Sequence, residues 1–168
     1  MIGSQTFKGV TNVLFKNNYV YGKDLSGNTS GSNNGARVKS DPSCGGLTKQ
    51  VSYINTCLYN VEHLIIVDGH YDSCNGSSGT PQFENILVNG ITSKSSLSGS
   101  STFYGYNASN LAQVYVANTN LDTSEQSSDE YATVYLDNTS EKPSGTDVTT
   151  KSFSISGSAP TCNFNSSY

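Results

Sequence analysis

The chain has 168 residues, a formal net charge of −4, 34% hydrophobic and 13% charged residues, and no Trp. Its weak net charge separates it from disordered chains, and a pI near 4.9 speaks against nucleic acid as a main partner, because phosphate binding needs clustered Lys and Arg. No apolar run approaches the roughly 20 residues of a membrane span, and eleven Tyr among many Ser, Thr, Asn and Gly point to a thin-cored, turn-rich all-β fold.

From the N-terminus, Met1–Thr6 has neither the basic start nor the apolar stretch of a secretory signal, so a leader is expected only in a longer parent. Short β-rich runs follow at Val10–Phe15, Ala36–Lys39, Val51–Ile54 and Leu64–Val67, then at Phe83–Val88, Ser101–Tyr104, Gln113–Val116 and Ala132–Leu136. Gly, Asn, Asp or Ser bounds each one, which is the strand-and-turn signal. No stretch of ten residues has a helical period.

The runs fall into two alternating classes. Val10-x-Asn12-Val13-x-Phe15-x-Asn17 resembles Phe83-x-Asn85-Ile86-x-Val88-x-Gly90, with weaker copies around Ile54 and Val114. Between them lie Ala36–Lys39, Leu64–Val67 and Thr102–Tyr104. Return at roughly 28 to 40 residues suits stacked coils with variable loops. Inward Val, Ile and Phe would then form ladders, with Asn12 and Asn85 as turn or ladder amides. A β-sandwich is the competing architecture, but its strands usually recur every 8–12 residues or so without two classes. The expectation is one solenoid domain with coils over about 2–140 and an irregular tail over 141–168.

Cys44, Cys57, Cys74 and Cys162 are an even set without metal-type spacing, which points to one or two disulfides and leaves three pairings open. Asn28, Asn75, Asn107, Asn138 and Asn165 head Asn-x-Ser/Thr acceptors. Both features suit an exported protein.

The chemically interesting segment is Gly35–Asp41. Arg37 is the only Arg, and on a strand Arg37 and Lys39 point to one face with Val38 on the other. Two adjacent cations need an anion or several acceptors; a solvated strand face with surface ion pairs is the plainer reading. His63, beside Glu62, reads as an exposed turn residue. Asp68, His70 and Asp72 alternate on one face, but a structural or solvated role is expected for them. No metal-ligand cluster, phosphate-cradling Gly loop or Ser/His/Asp set is present, so no cofactor is expected.

Gly35–Ser40 resembles the Gly-x-Arg-Ile-Lys-Ser signature of polygalacturonases, glycoside hydrolase family 28, with Val38 for the usual Ile. Further pieces match in order: Ile2-Gly3-Ser4 with Gly9–Val13, then Gly45-Gly46, Val51–Asn55 and Cys57, then Ile65–Tyr71, then Gly79–Ile86. This similarity implies a right-handed parallel β-helix that hydrolyses α-1,4-linked galacturonan with inversion. It also implies that Arg37 and Lys39 bind a sugar carboxylate, and that Tyr71 contacts substrate on the same face. The family places its catalytic Asn-x-Asp, Asp-Asp and Gly-His-Gly motifs ahead of the segment matched by Ile2–Ser4. The chain is therefore expected to be the C-terminal portion of a secreted, monomeric hydrolase, lacking N-terminal coils and inactive alone, with an exposed end prone to association. The alternative is a non-catalytic solenoid that binds acidic polysaccharide or serves as a structural module.

Overall fold

The computed structural model describes residues 1–24, 26–29, 33–72, 74, 79–97, 100–123, 125–126 and 129–164, leaving Asn75 and Asn165 outside the described residues. Among the described residues there are ten strands: β1 (Val10–Tyr21), β2 (Asn34–Lys39), β3 (Leu47–Tyr59), β4 (His63–Asp68), β5 (Gln82–Lys94), β6 (Ser100–Tyr104), β7 (Ala112–Asn120), β8 (Glu125–Gln126), β9 (Asp129–Asp137) and β10 (Gly145–Ser152). All pairings between them are parallel. Odd strands stack in the order β1-β3-β5-β7-β9, and even strands in the order β2-β4-β6; Tyr104 opposite Glu130 joins the two columns. Each pass of the chain thus returns to the column it left, which defines a parallel β-helix and rules out the sandwich.

Two ladders fill the lumen from the odd column. Val13, Val51, Ile86, Val114 and Val134 lie in register, as do Phe15, Tyr53, Val88, Val116 and Leu136. From the even column come Val38, Val67 and Phe103. Of these, Val51, Ile86, Val114, Val134 and Phe103 are at most 1% exposed, and each such side chain contributes on the order of 1.5–3 kcal/mol through burial. The Phe15 ring stacks on Tyr53 at 4.6 Å. Tyr53 crosses the lumen, and its hydroxyl donates to the Arg37 carbonyl at 2.8 Å, tying the odd column to β2.

The odd strands run longer than the sequence runs suggested because each turns a corner without losing its ladder. Asn17, Asn55, Gly90, Asn118 and Asn138 occupy one register line and all have left-handed backbone, with φ of 58, 54, 85, 52 and 46°. Asn tolerates that conformation better than other side-chain-bearing residues, and Gly adopts it without steric cost. The amides also link neighbouring coils: Asn138 donates to Asn118 at 3.0 Å, Asn118 to Asn89 at 2.8 Å, and Asn55 to Asn17 at 3.3 Å. Asn12, Gln50 and Asn85 form a second corner line with φ of 59, 54 and 53°. Asn118→Ala is expected to destabilise the fold by about 2 kcal/mol, from left-handed strain and two lost amide bonds, and Asn118→Gly by roughly half that. Urea unfolding that shows Ala as stable as the parent would remove the corner from the stability account.

Residues 141–168, expected as an irregular tail, begin otherwise: Gly145–Ser152 forms β10 on β9. Beyond it the chain doubles back across the odd column as a strap. Phe153 meets Tyr115 edge-on, Ile155 N–H donates to Asp137, and Asn89 and Thr92 donate to the carbonyls of Ser156 and Pro160. Cys162 is joined to Cys57, and Phe164 rests against Tyr59 and Tyr19. A second disulfide joins Cys44 to Cys74, in the segments that follow β2 and β4.

Candidate substrate cleft

The outward face of the even column carries the site. In-register stacking makes two lines across the rungs: Arg37, Ile66 and Thr102 in one, and Lys39, Asp68, Tyr104 and Glu130 in the other. Residues two apart on a strand share a face, so Arg37 and Lys39 project together while Val38 is sealed inside at 1% exposure. The start of the chain braces this strand. Ile2 bridges Val38 in parallel, its N–H donating to the Arg37 carbonyl and its own carbonyl accepting from Lys39 N–H, both at 3.0 Å. A side chain at Gly3 would collide with the Lys39 carbonyl, so only glycine passes there.

Tyr71 closes over both cations. Its ring centroid lies 4.6 Å from the Arg37 guanidinium carbon and 3.1 Å from Lys39 Nζ. Hydrogen bonding and charge from Lys39, with Arg37 adding to them, hold the Tyr71 phenol below its usual range. Lys39 is only 7% exposed, an unusual position for an ammonium, and Arg37 Nε is buried without a hydrogen-bond partner. The geometry thus brings together all three residues singled out from the sequence. An open cleft of about 360 Å³ runs beside them, lined by Arg37, His63, Ile66, Asp68, Tyr71 and Thr102 among others.

Several neighbours were not legible as such. His63 is half-buried in β4 rather than in an exposed turn; it lines the cleft, and its Nδ1 sits 3.2 Å from the Ser100 hydroxyl. Asp68 lies directly beside Lys39 in the next rung. Burial raises its pKa, while a hydrogen bond from His70 N–H and the charges of Arg37, His70 and Lys39 act the other way. Of the alternating trio, Asp68 faces the cleft, His70 is exposed, and Asp72 follows in the loop.

One Asn-x-Asp tripeptide does occur, Asn120-Leu121-Asp122. Its carboxylate is engaged away from the cleft, accepting from the Ser93 and Ser96 hydroxyls and from Ser96 N–H. Partial burial opposes its charge, but those hydrogen bonds prevail and keep its pKa below the ordinary carboxylate value. Among the acceptor sequons, Asn28 is exposed in a turn closed on Asp24, and the Asn107 side chain closes a turn on Ser109 and Asn110. Asn138 already uses its Nδ2, the glycan-bearing atom, to donate to Asn118.

A parallel β-helix with a cation pair and a Tyr lid on one strand face is the class that fold and site define. The model of glycosyl hydrolases family 28 matches residues 2–141, and the chain belongs to that family. It is 38% identical over 110 residues to a polygalacturonase of Ralstonia solanacearum, covering 64% of this chain and 20% of that protein. It is 34% identical over 120 residues to an endo-polygalacturonase of Pectobacterium parmentieri, covering 71% of this chain and 27% of that protein. The chain therefore spans 20% and 27% of the length of these two relatives. No solved structure matches it.

Proposed function

We propose that this chain forms the carboxylate-gripping side of a polygalacturonase-type cleft that takes α-1,4-linked galacturonan, the parent enzyme cleaving it by inverting hydrolysis. The observation that carries the reading is the convergence of Arg37 and Lys39 beneath Tyr71. A guanidinium offers a planar fork that matches a carboxylate bidentately, and an ammonium beside it supplies a compact second charge. The buried, unpartnered Arg37 Nε supplies a reason for a ligand at this spot, since an unmet donor in a dry site is costly. Tyr71 offers the sugar both a ring face and a hydroxyl. Relatives named polygalacturonase support the substrate class, and two disulfides support an exported protein.

Inverting hydrolysis needs two carboxyl groups flanking the bond, one as acid and one as base for water. Asp68 does not fit either role in this reading: it accepts His70 N–H and sits on the next rung beside Lys39, where its charge interacts favourably with both cations. The 168-residue chain is therefore expected to bind galacturonate oligomers and leave them intact. Calorimetric titration with trigalacturonate, alongside a reducing-end assay on polygalacturonate, tests this. Binding without release supports the proposal. Release that disappears in Asp68→Asn would instead make Asp68 the acid and overturn the assignment.

A further inference from the structure

The turn Gly69–Tyr71 sends two adjacent side chains to different rungs. Tyr71 N–H donates back to the Ser40 carbonyl at 3.3 Å, and its ring covers the cations of β2. His70 goes the other way. Gly69 N–H donates to the Tyr104 carbonyl at 2.8 Å, and the exposed imidazole stacks on Tyr104 at 4.6 Å and on Tyr106 at 5.2 Å. Its Nε2 lies 2.7 Å from the Tyr106 carbonyl, an acceptor, so that nitrogen carries a hydrogen. The ring is thus positioned by one hydrogen bond and two stacking contacts. It stands over Tyr104, in the same outward line as Lys39 and Asp68 and two rungs from Lys39, a distance of about 10 Å.

An acidic polysaccharide gripped by Arg37 and Lys39 carries one carboxylate per sugar and presents further anions as it continues along the face. Building on the reading above, we propose that His70, backed by Tyr104 and Tyr106, forms the next uronate-binding position of the cleft, and that protonation of its imidazole strengthens the hold. Imidazole is the side chain that changes charge between about pH 8 and 5, a range in which sugar carboxylates stay ionised. Asp68 accepts from the His70 N–H, the Tyr104 and Tyr106 rings stack on the imidazole, and Glu130 and Tyr131 of β9 lie beside Tyr104. A bound uronate favours the charged form of the ring. His63 lies in the same cleft, near Ser100, and needs its own control.

The test is titration of the full chain with galacturonic acid, trigalacturonate and a neutral galactose trisaccharide at about pH 7.5 and 5.5. In the parent, affinity for trigalacturonate is expected to rise about fivefold on acidification, with little change for the monosaccharide and none for the neutral sugar. His70→Phe keeps the stack and should abolish the rise; His63→Gln should keep it. His70→Ala is expected to weaken trigalacturonate about fivefold at pH 5.5 with circular dichroism unchanged. The same acid rise in His70→Phe, or trigalacturonate affinity unaffected in His70→Ala, overturns the inference while binding that depends on Arg37 preserves the broader reading. Failure of the parent to bind trigalacturonate overturns both.

Discussion

Cys162→Ser is expected to lower the unfolding free energy by about 4–5 kcal/mol under non-reducing conditions. Cys57 and Cys162 are 105 residues apart in sequence, and in the chain-entropy account a bridge closing a loop of about 100 residues removes about 4.7 kcal/mol worth of freedom from the unfolded state. The native side adds to this. The bridge anchors the strap beside β3, where Phe164 packs on Tyr59 and Tyr19 and Pro160 accepts from Thr92. Cys57→Ser should cost the same, and the double variant no more than either, because both remove one constraint. The Cys44–Cys74 bridge, with a separation of 30, should contribute less, about 3.6 kcal/mol on the same account. Guanidinium unfolding of the four variants gives the ranking. A Cys162→Ser chain within about 1 kcal/mol of the parent would mean that the strap is held by its other contacts.

Arg37→Ala should weaken trigalacturonate binding about a hundredfold, and Arg37→Lys should recover only part of that loss. Hydrogen bonds to a charged partner contribute about 1.5–3 kcal/mol, and two from one guanidinium account for the expected effect. A second ammonium beside Lys39 restores charge but not the fork. Removing Arg37 also takes away one of the two cations beneath Tyr71, so Tyr71 should titrate closer to its ordinary value, a shift that tyrosinate absorbance reads without ligand. Unchanged affinity in Arg37→Ala would remove the carboxylate site from this face.

Much of the fold was legible because a solenoid repeats itself. Val10-x-Asn12-Val13-x-Phe15-x-Asn17 and its copies carried both the inward ladder and the corner residues, although their role as corners emerged only from φ values at Asn17, Asn55 and Asn118. The cation pair was legible from strand alternation, and Tyr71 only through family resemblance, since its placement depends on the turn after β4. The strap was not legible. Residues 153–164 have no periodicity, and their partners lie far upstream, the Thr92–Pro160 bond spanning 68 residues. The His70 stack escaped for a similar reason: Tyr104 and Tyr106 meet it only through stacking of β4 on β6.

The corner asparagines have a consequence for how the molecule can change. Successive corners are 38 residues apart from Asn17 to Asn55 but only 20 from Asn118 to Asn138, yet they align. Each corner resets the path, so an error in one loop's length does not propagate to the next coil. Walls of the cleft can therefore lengthen or shorten freely while the floor beneath them keeps its spacing, so that one scaffold can be fitted with differently shaped grooves.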